Sequence, residues 1–108
     1  MPKILANSFV NTIAGTKQVV YTAPNSGDGT QINSFTASNN SGVNASYSAY
    51  ITDSITTDKK IIPFKIVVWG ENDLGIGLVN QVIPSGGSLS IESSAIDSIY
   101  FTVTGTES

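Results

Sequence analysis

A chain of 108 residues without a single Cys or His has the length of one ordinary domain and excludes disulfides, thiol nucleophiles and the nitrogen and sulfur ligands of zinc sites. Only 12% of its residues are charged, about half the usual share, and the formal net charge is −3 with Lys as the sole basic residue. Lacking Arg and a basic face, it is not expected to bind nucleic acid directly, and no apolar run of transmembrane length predicts a membrane partner.

In chain order, the opening MPKILANSFVNTIAG is interrupted by Asn7, Ser8, Asn11 and Thr12, so it does not read as a secretion signal. Ile4, Leu5 and Phe9 are apolar near a terminus, which predicts a strand over Ile4–Ile13 with residues 1–11 as an N-terminal arm or edge strand. Its free side would suit backbone pairing with a partner, making these three residues candidate contacts. Strands follow over Gln18–Ala23 and Gln31–Ser38, separated by the turn sequence PNSGDG.

After NNSG, the segment VNASYSAYI alternates strictly: Val43, Ala45, Tyr47, Ala49 and Ile51 on one face, Asn44, Ser46, Ser48 and Tyr50 on the other. It predicts a strand over Val43–Thr52 with one buried side. The most apolar stretch, IIPFKIVVWG, predicts a strand over Ile61–Trp69 covered on both sides, except that Pro63 moves its beginning to a sheet margin. Shorter strands are expected over Gly77–Ile83, Ser88–Glu92 and Ser98–Thr104, with Leu89, Ile91, Ile99, Phe101 and Val103 inward. About eight short strands at this spacing predict a single all-β domain spanning 1–108, an antiparallel β-sandwich of jelly-roll type.

The carboxylates Asp28, Asp53, Asp58, Glu71, Asp73, Glu92, Asp97 and Glu107 fall nearly all in predicted turns, where acids serve solubility. No catalytic, cofactor-binding or metal-ligating residue is expected. ENDLGIG at Glu71–Gly77 gathers oxygen ligands but lacks the alternating spacing of a calcium loop, and reads as a turn. Trp69 closes the most apolar strand, so it is expected in the core or a subunit interface; a platform for a sugar ring is the other reading.

The run from Ile32 to Ile51 holds no charged residue. Neutral Ser, Thr and Asn can be covered by a neighbour without stranding buried charges, which makes Asn39, Asn40 and Ser41 in its middle further candidate contacts. FVNTIAGT, VVYTAP, TQINSFTASNNS, VIPSGGSL and the closing DSIYFTVTGTE together resemble small β-sandwich virion proteins of tailed bacteriophages. That resemblance implies a non-enzymatic structural protein. A capsid decoration or cement protein is the leading expectation: a homo-oligomer, dimer or trimer, on the outer capsid surface, bound to the major capsid protein or other virion subunits. A neck or tail accessory subunit, or a carbohydrate-binding module for host attachment, is the alternative. Such proteins have no catalytic residues to carry over.

Overall fold

The computed structural model describes residues 2–9, 17–53, 58–94 and 99–107, with side chains for 3–5, 17–53, 65–94 and 99–107. These residues form nine strands: β1 (Pro2–Phe9), β2 (Gln18–Thr22), β3 (Thr30–Asn39), β4 (Ala45–Thr52), β5 (Asp58–Val67), β6 (Asn72–Asp73), β7 (Val82–Ile83), β8 (Ser88–Ser93) and β9 (Ile99–Glu107). One sheet runs β1-β9-β3-β6 with β7 also on β3, and the other runs β2-β8-β4-β5. All pairings are antiparallel.

The connectivity is nested. β1 pairs with β9, β2 with β8, β3 with β6 and β7, and β4 with β5, as if one long hairpin had been rolled so that β9 also meets β3 and β8 also meets β4. This rolled arrangement is the jelly-roll form of the sandwich that the alternating strands predict. Here the strands number nine.

Inward positions of both sheets build one core. Phe35, Tyr47 and Phe101 meet at its centre, with ring centroids 5.4–5.8 Å apart, inside a layer of Ile32, Leu89, Ile91, Ile99 and Val103. Each such side chain, fully buried, contributes about 1.5–3 kcal/mol relative to exposure. Tyr47 is the one polar member of the trio, and its hydroxyl donates to Asp73 Oδ2 at 2.5 Å. Burial, together with that bond, pushes its phenol well above the ordinary tyrosine range.

Several expected boundaries shift for identifiable reasons. Val43 is 62% exposed, because its carbonyl is held in the preceding loop by Asn39 Nδ2 at 2.8 Å and Ser41 Oγ at 2.9 Å; the strand starts at Ala45. Of the strand expected over Gly77–Ile83 only Val82–Ile83 is extended. Ahead of it the chain turns, with Leu78 plugged into the core and Asn80 in the left-handed region at φ 71°, a conformation that ends any strand and that Asn accepts readily. The expected turn over Glu71–Gly77 contains the short β6, which pairs Ala37 with Asp73. β5 is not covered on both sides. It is the outer strand of its sheet, the position that Pro63 requires, and Lys65 and Ile66 within it are exposed.

Candidate interaction surface

The two sheets present unlike outer faces. On the β9–β3 face the outward positions are Tyr100, Thr102, Thr104 and Thr106 beside Ser38, Thr36, Ser34 and Gln31, in register strand to strand. Ser34 and Thr104 hydroxyls lie 2.5 Å apart, and Asn33 Nδ2 donates to Thr106 Oγ1 at 2.8 Å. Ile4 of β1 joins the row of Thr104 and is 61% exposed, while Val82 of β7 is in register with Gln31. Among the described side chains no strand residue at an outward position of this face is charged, although Asp28 of the loop before β3 borders Gln31, Val82 and Thr106 at one rim. Lys3 and Glu107 pair at 3.2 Å at its far end, in register with the inward-facing Gly105 and Thr30.

The β8–β4 face carries charge in its middle. Tyr50 donates to Glu92 Oε1 at 3.0 Å, and Lys17 Nζ lies 5.3 Å from the Tyr50 ring centroid. The backbone of Lys60 on β5 is in register with Tyr50. Covering this face would desolvate ions, at an effective cost of several kcal/mol each when they are left unpaired. Covering the Thr/Ser face would remove only neutral hydroxyls and amides from water, and bridging waters can satisfy these.

At one end of the sandwich a single buried residue fixes the loops. Asn39, 1% exposed, donates from Nδ2 to the carbonyls of Val43 at 2.8 Å and Val67 at 2.7 Å. Its Oδ1 accepts from Ser41 N at 3.0 Å and Ser41 Oγ at 2.8 Å. Its backbone bonds Glu71 O and Gly70 N, at 3.0 and 2.9 Å. The turn so anchored closes with Glu71 N on Val68 O at 3.0 Å, and Gly70 at φ +80° takes a backbone conformation that a side chain would strain. Trp69 sits at the tip of that turn, 58% exposed, its backbone N–H donating to Asn44 Oδ1 at 3.3 Å.

The expected contact residues therefore divide. Ile4 faces solvent, but Leu5, its neighbour on the opposite face of the strand, belongs to the core, packed so close to Gly105 that a Cβ there would lie 2.6 Å from Leu5 Cδ1. The Phe9 side chain lies outside the described residues, though its backbone pairs with Tyr100 at the outer strand of the sheet. Asn40 and Ser41 are exposed and share one end of the molecule with Trp69. Asn39 is buried and spends its amide on the fold, so it offers no side chain to a partner. Trp69, expected to be packed, is not core within the chain.

What sequence reasoning missed is the Thr/Ser face. Its signal was in FTVTGTE, where Thr recurs at alternate positions, but only the pairing of β9 with β3 shows that two strands with uncharged outward positions lie side by side. The acids have structural tasks. Asp73 takes the Tyr47 hydroxyl, accepts from Gly75 N at 3.1 Å and lies 3.8 Å from Lys65 Nζ. Glu107 accepts from Tyr21 and Lys3, and the Tyr21 bond, then the Lys3 bond, hold its carboxyl below the ordinary value of 4.5. Tyr21 in turn is pushed up by burial and by that bond. Among the described residues no three carboxylates gather as a metal site would require. Comparison with known protein families, with curated proteins and with solved structures finds no match.

Proposed function

We propose that the protein is a non-enzymatic structural subunit of a virion, most concretely a capsid decoration or cement protein of a tailed bacteriophage. It would adhere to the shell through the outer face of β9 and β3 and assemble as a dimer or trimer on the outer capsid surface. The observation that carries this reading is the asymmetry of charge between the two faces: one is built to be covered cheaply, the other to stay wet. Many symmetric copies, each adding a modest contact free energy, would together bind firmly through avidity. Jelly rolls are frequent among capsid proteins, but a fold hosts many functions, so the weight rests on the face.

Adding the purified protein back to particles that lack it tests the proposal. Thr102→Lys places a charge at the centre of the uncharged face and should reduce particle binding by about 100-fold or more, since an unpaired ion would have to be desolvated at several kcal/mol. Thr22→Lys, exposed at the margin of the other sheet, should bind like the parent. Equal binding by both variants would remove the face from the contact.

A further inference from the structure

The edges of the two sheets are unequally protected. β6 and β7, which share one edge, are two residues long each, and β2 is five, too short to offer another chain much backbone. β5 is ten residues long but carries Lys59, Lys60, Lys65 and Pro63, charges and a proline of the kind that keep an edge strand from recruiting a neighbour. β1 has neither defence. It pairs with β9 on one side only, and from Ile4 to Phe9 it contains no charge and no proline. Its single charge, Lys3, is already matched with Glu107 of β9 at 3.2 Å. The register shift between Ile4 and Ala6 bends the strand near its start, whereas Ala6–Phe9 match Val103–Tyr100 residue for residue, so this part of the edge is regular. Its outer backbone groups meet no strand among the described residues.

We propose that this edge is a dimer contact, β1 pairing antiparallel with β1 of a second copy of the chain. Identical strands are self-complementary in that orientation, and the resulting two-fold closes the assembly with both edges used up. No charge lies within Ile4–Phe9 to oppose its own copy. Alternate residues of a strand turn their N–H and C=O groups to the same edge, so self-pairing matches residues an even number apart and the two-fold axis passes through a residue. Within Ala6–Phe9 that residue is Asn7 or Ser8. Pairing at an edge also preserves the two sides of a sheet, so the uncharged outer faces of β9 and β3 in both copies point the same way and join into one larger face. A second copy alone, among strands that could pair there, enlarges that face with its like. This last consequence rests on the shell reading; the pairing itself does not.

Sedimentation of the free chain and single-thiol cross-linking test the pairing without any particle present. A short paired strand belongs with the weak contacts below about 1,200 Å², so the chain should sediment as a dimer at roughly 100 μM and dissociate on dilution to about 1 μM. The chain has no Cys, so one introduced thiol can react only with its own copy. At the axis a residue faces itself with Cα atoms about 4.5–5.5 Å apart, inside the roughly 4.4–6.8 Å that a disulfide spans. Under mild oxidation Asn7→Cys or Ser8→Cys should therefore form a covalent dimer at least tenfold faster than Lys65→Cys on β5 or Thr22→Cys on β2, both at exposed positions. A monomer at 100 μM or a trimer overturns the inference, as does a dimer that cross-links no faster at positions 7 and 8 than at 22 and 65. A monomer that still binds shell particles removes the pairing and keeps the shell reading. A cross-linked dimer that binds no particle does the reverse.

Discussion

The outer faces of the two sheets have the same strand geometry and nearly opposite chemistry. On β9 and β3 the outward positions are hydroxyls and amides paired with one another, such as Ser34 with Thr104. On β8 and β4 a carboxylate, a phenol and a nearby ammonium are linked across the surface. A chain with so few charges could have scattered them evenly; instead the described residues keep them off the outward strand positions of one face, with Asp28 at its rim. The lesson is that low overall charge, read as a property of the whole sequence, is a property of one surface in the fold.

Both faces hang on one frame, and the largest effect should come from breaking it. Asn39 joins the end of β3 in one sheet to Val67 of β5 in the other. Asn39→Ala would leave the buried Val67 carbonyl and the Ser41 N–H without their partner, while the Val43 carbonyl keeps Ser41 Oγ, at a cost of about 2–3 kcal/mol where each unsatisfied buried group costs about 1–3. In a domain of this size that corresponds to a fall in Tm of roughly 10 °C or more. If calorimetry shows an unchanged Tm, the end loops are not the joint between the sheets.

A smaller effect sharpens the picture at the two places where side chains close the gap between sheets. Tyr47 has its phenol raised above the ordinary value of 10.0, so its contribution to stability is complete below that pH and declines as pH climbs beyond it, because the unfolded chain ionises first. Thermal melts should therefore show a steeper loss above pH 10 in the parent than in Tyr47→Phe. Glu107 is shifted the other way, lowered from 4.5. Its contribution is present above that pH and is lost as pH falls through and below it, more weakly since the group is exposed. Tyr21→Phe should flatten this acid limb. Identical pH profiles in parent and variants would remove the respective bond from the stability of the fold.

Much of the sandwich was legible because it depends on period. The alternations in VNASYSAYI and SIYFTVTG place Tyr47, Ala49, Ile51, Phe101 and Val103 inward, and all are buried. Pro63 marked an edge, and β5 is one. What period cannot carry is long-range pairing: nothing local to β1 tells that it lies beside β9. The same limit explains Asn39, which reads as one more polar residue in NNSG until its amide is seen bridging two segments separated by 28 positions. It also explains Trp69. An apolar flank argues for burial, but the glycine after it makes a turn, and the turn faces out. Ile4 and Leu5 are adjacent on β1 and so point to opposite faces, which lets only Ile4 reach a neighbour.

The central claim, that the β9–β3 face is the one a neighbour covers, is open to direct measurement because the chain contains no Cys. Thr36→Cys on that face and Thr22→Cys on the margin of the opposite sheet each introduce a single thiol, whose maleimide labelling can be timed in the free protein and on assembled particles. The account predicts that assembly slows labelling at position 36 by at least tenfold and leaves position 22 at its free rate. Protection at 22 with free labelling at 36 would contradict it.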